Sequence, residues 1–438
     1  MFKKLFVAIL LIVSTSAFSQ QGTQSPYSFF GLGDLKFKGT VENQSMGGMG
    51  VYLDSIHLNL RNPAAYVGKN VEAFPFDGES RPVKFAFAGS YSGQNLKSNS
   101  TKTNTNSFSF DYIALSVPMG KFGFGFGILP FTSVGYQLED IDNTTSNPLY
   151  RYDGQGGLNK VFAGLGYQIN KNLSIGVDVS YNFGNIENNA IGFQYDSDGT
   201  LVQLQTSENN RSDLSGLNYN FGMAYKGKIS DKLELSATAT YAPESDLTSQ
   251  NIRSLAPAVI GADGAVFVDN SGAIEVNLEE RGLATTTLTL PSRLSLGAGI
   301  GQPKKWFIGS ELTLQNTSAF SNPIFSTAST TFENSSNISL GGFFIPDYKS
   351  FSYFKRTVYR AGLRYQNTGL VVKNEPINEF GISFGLGLPL GGAFSNMNIG
   401  AEFGQRGTTN QNLIQETFTN INISLSLNDR WFRKRKYN

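Results

Sequence analysis

Gly381-Ile-Ser-Phe-Gly385 has the G-x-S-x-G spacing that can present a serine nucleophile. That chemistry needs the serine on a strand-to-helix turn and a histidine to take its proton. The chain has one histidine, His57, and no cysteine. Thiolate metal sites, cysteine nucleophiles and disulfides are therefore excluded. Gly123-Phe-Gly-Phe-Gly127 has no following helix to receive a phosphate, so it is not a dinucleotide loop. Asp196-Ser-Asp198-Gly199 opens like a calcium loop but lacks the remaining ligand positions. Glu139-Asp140 and Glu279-Glu280 read as solvated loop acids, and His57 as structural. The expectation is no catalytic residue, no metal and no cofactor. With 35 basic and 34 acidic residues, the chain has no bulk field for nucleic acid.

The surroundings of Ser383 point elsewhere. Phe380, Ile382, Phe384, Leu386 and Leu388 alternate with Gly381, Ser383, Gly385 and Gly387, which is the period of a strand. Leu173, Ile175, Val177, Val179, Tyr181 and Phe183 alternate in the same way with Ser174, Gly176, Asp178, Ser180 and Asn182. Similar rows run through 122–128, 217–226 and 421–428. These strands approach the 9–11 residues that a tilted membrane-spanning strand requires. Tyr91, Tyr167, Tyr181, Tyr225, Tyr241 and Tyr365 stand at strand ends, where an interfacial aromatic girdle lies.

Residues 1–19 read as a secretory signal. Lys3 and Lys4 precede an apolar run from Leu5 to Val13 that is too short to span a bilayer, and Ala17 and Ser19 suit a cleavage site. The alternative is a short membrane anchor. The expected fold is all-β: a transmembrane antiparallel β-barrel of fourteen strands over 71–428. The strands are 83–93, 107–117, 121–135, 159–169, 173–184, 214–228, 233–242, 285–300, 306–316, 352–366, 369–374, 377–388, 397–406 and 414–427. Short turns fall at 118–120, 170–172, 229–232, 301–305, 367–368 and 389–397. Long polar loops fall at 94–106, 136–158, 185–213, 243–284 and 317–351. The inner face is read as small and nearly neutral, with scattered charges at Lys84, Asp178, Glu234, Glu311, Arg360, Arg364 and Glu402. Glycine is abundant (48 residues) and charge is sparse (16%, against about 25% in average soluble domains), which suits two uncharged faces.

Residues 20–70 do not read as strands and suit a compact plug, or hatch, inside the barrel. They hold Gly47-Gly48-Met49-Gly50-Val51, then Asp54, then Asn62-Pro63-Ala64. This series resembles the N-terminal hatch of the FadL-type outer-membrane transport proteins. Leu290-Pro291-Ser292-Arg293-Leu294-Ser295-Leu296-Gly297 is similar to a strand start of that family. The opening Ser25 to Leu35 and the ending Asn428 to Lys436 resemble its Bacteroidota branch. The resemblance implies a fourteen-stranded barrel plugged by its N-terminal segment. It also implies Gly47, Gly48, Gly50, Asp54, Asn62, Pro63 and Ala64 as the plug motif. Such proteins capture a hydrophobic molecule and release it through a gap at a kink in the third strand. Pro130, which cannot donate to a ladder, lies in that strand. It marks either that lateral opening or a strand end above the membrane. Trp431 and Phe432 fit an aromatic barrel-insertion signal, and 429–438 form a basic periplasmic tail that meets lipid phosphates or a partner, or is simply solvated.

Two functions follow as expectations for a Gram-negative outer-membrane location. One is transport of hydrophobic or lipidic compounds. The other is a non-transporting subunit of an outer-membrane assembly, secretion or lipid-handling complex, with the long loops and basic tail as its contact surfaces. Expected partners are outer-membrane lipids, a hydrophobic small molecule and other outer-membrane or periplasmic proteins, and not nucleic acid. A diffusion channel for polar solutes is a third option.

Overall fold

The computed structural model describes residues 22–54, 56–67, 71–72, 79–80, 82–142, 144–261, 263–320, 330–390 and 395–429. The signal segment, Trp431, Phe432 and the basic cluster lie outside the described residues.

Fourteen antiparallel strands close into a barrel. They are β1 (Val83–Lys97), β2 (Lys102–Met119), β3 (Phe122–Pro130 and Thr132–Ile141), β4 (Pro148–Gln168) and β5 (Leu173–Gly192). Next come β6 (Gln205–Lys228), β7 (Glu234–Ala242 and Ser245–Ile260), β8 (Thr285–Leu290 and Arg293–Gln302) and β9 (Trp306–Gln315). The last are β10 (Ser335–Phe344), β11 (Val358–Val372), β12 (Glu375–Pro389), β13 (Asn396–Arg406) and β14 (Gln415–Asp429). Each strand pairs with its sequence neighbour, and β14 returns to β1 through pairs such as Leu427 with Phe85. Closure removes the sheet edges that hydrocarbon could not satisfy.

The alternation sorts by face. On β5, Ile175, Val179 and Tyr181 are exposed outside, while Ser174, Asp178, Ser180 and Asn182 are buried inside. On β12, Phe380, Phe384 and Leu386 are exposed and Ser383 is buried. The apolar outer band is the surface a bilayer solvates. No described helix is long and apolar enough to cross a membrane.

Several sequence expectations are corrected. The loop expected at 317–351 contains β10. The strands expected at 352–366 and 369–374, with a turn at 367–368, are one strand, β11. The two errors cancelled in the count. Both have local causes. On β10, Phe343 points inward beside outward Phe344, and Gly342 interrupts the outer row, so the period is blurred. On β11, the register shifts between Asn367 and Val371 around Gly369, whose φ of 78° favours glycine. The real turn after β11 is Lys373-Asn374, at φ 50° and 64°.

The long loops expected at 94–106, 136–158 and 185–213 are largely strand, and the one at 243–284 is strand over Ser245–Ile260. Connections shrink to 98–101 and 142–147, and β6 alone runs 24 residues. These extensions rise beyond the apolar band, where polar residues on both faces hide a period of two. Residues 345–357, expected as the end of a long loop and the start of a strand, instead connect β10 to β11 at the near end, where β1 begins and β14 ends, and carry a four-residue helix, Tyr353–Arg356.

Candidate functional site

The inner face of the barrel is shaped to the N-terminal segment by missing side chains. A Cβ on Gly362 would sit 2.1 Å from the Gly47 nitrogen, and one on Gly341 would sit 2.4 Å from the Met46 oxygen. A Cβ on Gly385 would meet Ser45 at 2.3 Å. Around Pro63 to Val67, glycines 123, 125, 164, 176 and 222 play the same part, each within 2.6 Å of a segment atom or its partner Asp178. Real Cβ contacts are never that short, so the wall must be glycine for the segment to lie there. These eight glycines are thus a mould rather than a row of idle small residues.

The residues of the hatch-like motif fall at specific contacts. The four-residue helix Val41–Gln44 is capped by Thr40, whose hydroxyl and N–H donate to Asn43 Oδ1 at 3.1 and 3.2 Å. Asn43 Nδ2 in turn donates to the Met49 carbonyl at 3.0 Å, closing the glycine turn. Gly47 N–H donates to Ser383 Oγ at 2.9 Å, so this serine serves as a hydrogen-bond acceptor in mid-strand. Gly50 N–H donates to Glu311 Oε2 at 2.8 Å, and Arg61 makes an ion pair with the other oxygen of that carboxylate. Asn62 Nδ2 donates to the Met223 carbonyl at 2.9 Å, and its Oδ1 accepts from Ala64 N–H at 3.0 Å. Ser174 Oγ donates to the Ala64 carbonyl at 2.9 Å. Gly48 lies against Phe37.

Asp54 and His57 form a pair at 2.5 Å, with Asp54 Oδ1 also accepting from Ile56 and His57 N–H at 2.9 and 2.6 Å. Burial would raise the Asp54 pKa, but the His57 charge and hydrogen bonds hold it well below the usual carboxylate range. Burial would lower His57, but Asp54 holds it above the usual imidazole value.

Inner charges expected to be scattered are organised. Arg364 bridges Glu379 and Glu402, the latter at 2.6 Å. Arg406 joins Glu379 to Asp34 of the N-terminal segment at 2.9 Å. Glu416 accepts from Ser25 Oγ. Lys38 faces Asp178 at 3.8 Å. Glu379, Arg406, Glu416 and Lys160 escaped the sequence reading, because a single charge in an alternating row does not reveal its partners. Lys84 donates to the His57 carbonyl at 3.3 Å, Glu234 pairs with Lys226 at 3.2 Å, and Arg360 donates to Asn398 at 3.0 Å.

Pro130 ends the first half of β3, and the strand resumes at Thr132. The β2–β3 ladder stops lower, at Ile113 with Ile128. Beyond Phe131 the second half of β3 pairs with β4 on one side. On the other it pairs with Asp34–Leu35 of the N-terminal segment, through Asp34 with Ser133 and Leu35 with Thr132. Lys36 N–H adds a bond to the Phe131 carbonyl at 3.0 Å. A cavity of ≈ 440 Å³ adjoins this break and is bordered by Ser107, Asp111, Leu129, Phe131 and Lys160. The Lys160 ammonium stands 4.1 Å from the centre of the Phe131 ring. A second cavity, of ≈ 300 Å³, lies near Tyr52, His57, Phe343 and Arg360.

The remaining sequence candidates lie apart from this site. Asp196 Oδ1 accepts from Asp198 and Thr200 N–H in an exposed turn, at 3.0 and 2.8 Å. Glu139 pairs with Arg151 at 3.1 Å on the surface. Among the described residues no group of acids and histidine is arranged to hold a metal.

A sequence model of the BamG family matches residues 1–438. No curated protein sequence matches the chain. Among solved structures, the Pseudomonas putida toluene transporter TodX is similar, with a TM-score of 0.57 at 15% identity, over 91% of this chain and 99% of that one. A Pseudomonas aeruginosa FadL homologue gives 0.56 at 12%, over 91% and 99%. The Ralstonia pickettii toluene transporter TbuX gives 0.54 at 12%, over 89% and 98%. At such identities the likeness is one of fold.

Proposed function

Because the chain belongs to the BamG family, and its fold is that of FadL-like channels, we propose that it is an outer-membrane barrel that takes up hydrophobic or lipidic compounds through its wall. The observation that carries this reading is the β2–β3 ladder ending at Ile113–Ile128 beside the 440 Å³ cavity. A ligand would reach that cavity from the far end or the bilayer, with Pro130 at the opening and residues 22–67 as the plug. No catalytic step enters this reading. Leu129 and Phe131 offer apolar contact, and Lys160 offers an amine that an anionic head would engage, so the ligand class is an apolar molecule with or without an anionic head.

The test is binding of a fluorescent alkanoate to the purified chain, repeated with Ser107→Trp to fill the cavity. Saturable binding lost in the variant supports the reading. No saturable binding by the parent, with unchanged uptake when the gene is deleted, overturns it.

A second reading rests on the near-end connection 345–357. Phe351 there is 104% exposed and Phe354 73%, beside Lys349 and Lys355. Aromatic and basic side chains held in solvent suit a partner or a headgroup layer, as expected of a subunit in an outer-membrane complex. Stoichiometric co-purification of a protein in mild detergent, lost on Phe351→Ser with Phe354→Ser, supports it. Purification of the chain alone from its native membrane counts against it.

A further inference from the structure

The break between β2 and β3 does not close again above Ile113–Ile128. From Lys102 to Tyr112, β2 pairs with β1 alone, and its other side makes no backbone hydrogen bond among the described residues. The phase of that free side is fixed by the β1–β2 turn, where Ser98 N–H donates to the Thr101 carbonyl at 2.9 Å. Bonded pairs then alternate, so Thr103, Thr105 and Ser107 exchange bonds with β1. Asn104, Asn106 and Phe108 direct their N–H and C=O groups to the open side.

Edges of this kind are ordinarily blunted by charge, proline or a bulge. Between Thr103 and Phe110 there is neither charge nor proline. The one irregularity, at Asp111, lies at the lower end of the edge. Phe108 is 59% exposed on the outer face, with its ring 5.0 Å from Tyr91. Tyr91 is in register with Ile421, whose exposed side chain is the uppermost aliphatic of the outer row on β14. The edge therefore starts at the top of the apolar band and runs out of it. Hydrocarbon cannot satisfy a row of backbone donors and acceptors, and headgroups do not match its two-residue repeat.

We infer that Lys102–Phe110 is a strand-addition site, which takes an extended segment of a partner polypeptide antiparallel to β2. Main-chain bonds to Asn104, Asn106 and Phe108 provide the affinity. The partner's alternate side chains fall on Phe108 and Phe110 outside and on Thr105, Ser107 and Ser109 inside. The site is one edge of the break and shares Ser107 and Phe110 with the cavity lining, but it does not depend on a small ligand entering there.

The absence of cysteine allows single-cysteine probes. Full-length Asn104→Cys and Asn106→Cys, carrying a benzophenone label, are photolysed in their native outer membrane and the adducts mapped by mass spectrometry. The expected result is one polypeptide segment, with the cross-linked position moving two residues toward its N-terminus from Asn104 to Asn106. Adducts to lipid only, adducts scattered over unrelated polypeptides, or a position that does not move overturn the inference. Asn106→Pro removes an outward N–H and leaves the β1 ladder intact, as edge strands permit. Combined with the Asn104 probe it should cut the adduct at least tenfold, with heat-modifiable gel mobility confirming a folded barrel. An undiminished adduct in that folded variant also overturns it.

Discussion

The Tyr66 hydroxyl donates to Asp178 Oδ1 at 3.0 Å, joining the N-terminal segment to the inner face of β5. Asp178 also accepts from Asn220 Nδ2 at 3.3 Å and faces Lys38, so one buried carboxylate gathers the segment and two strands. The Tyr66 ring fits only because Gly125 and Gly164 leave room, each Cβ position lying within 2.6 Å of ring atoms. Gly125→Val should therefore displace the ring while leaving the outer face of β3 untouched. The cost of such overpacking is about 1–3 kcal/mol. Limited proteolysis should cut residues 60–67 faster, with the barrel still folded by gel mobility. Unchanged cleavage would mean the mould is loose.

Tyr66→Phe tests the hydrogen bond without the volume change. It removes a donor from a charged acceptor, a loss of about 1.5–3 kcal/mol. Amide exchange at Ala64 to Val67 should accelerate about tenfold or more. Asp178→Asn in the same background should add the loss of the Lys38 pairing but no second loss of the Tyr66 bond, so the two changes should be less than additive.

The Arg364–Glu379–Arg406 chain predicts an asymmetry between a change at its centre and one at its end. Glu379→Gln leaves two buried guanidiniums short of a partner, and breaking such a pair costs about 3–5 kcal/mol. Denaturant unfolding of the purified barrel should shift accordingly. Asp34→Asn should cost less in the same measurement, because Arg406 keeps Glu379. It should loosen Asp34–Leu35 selectively, read as faster exchange at the Lys36 amide, which bonds Phe131.

These contacts also mark where the sequence was legible. Ile175, Val179 and Tyr181 must be apolar because hydrocarbon touches them, and that requirement writes the period of two into the chain. Above the band, Asn209 donates to Asn189, Asn189 to Asp153, and Asn188 accepts from Tyr136, so polar side chains pair with polar ones, no period is imposed and the strands read as loops. On the inner face, glycines 341 and 362 record the shape of the segment they receive. That shape exists only after the chain has closed, and so is invisible in either stretch alone. The ion chain has the same origin. Asp34, Glu379 and Arg406 are brought together by closure and by nothing local. The Gly47 to Ala64 series was the exception, because tight turns need glycine, asparagine and proline at fixed spacings.

Lys160 separates ligand classes. Its ammonium is buried at the cavity with an aromatic ring, and no carboxylate ion pair to it occurs among the described residues. Lys160→Met keeps length and apolar area but removes the charge. Affinity for a fluorescent alkanoate should fall about tenfold, equivalent to about 1.4 kcal/mol. Affinity for an uncharged alcohol of the same length should hold or rise. Equal losses for both probes would assign Lys160 to packing instead of recognition.

The Asp54–His57 pair gives the N-terminal segment a pH window. The Asp54 pKa is depressed in the folded state, so its contribution is fully present above the ordinary value of 3.8. It is lost as pH falls through the lower folded value. The His57 pKa is raised, so its contribution is fully present below 6.5 and is lost as pH rises through the higher folded value. Docking around residue 56 should thus be tightest between those limits. The reporters are the amides of Ile56 and His57, both of which donate to Asp54 Oδ1. Their exchange, corrected for the intrinsic pH dependence, should be slowest in mildly acidic buffer and faster on both sides. His57→Gln should abolish the alkaline limb and weaken the acid one, since Asp54 then keeps only the backbone N–H bonds and Lys84 against burial. Asp54→Asn should remove the acid limb and weaken the alkaline one, since only Glu42 then raises the His57 pKa against burial. A corrected profile that is flat in the parent chain would show that the pair does not hold the segment.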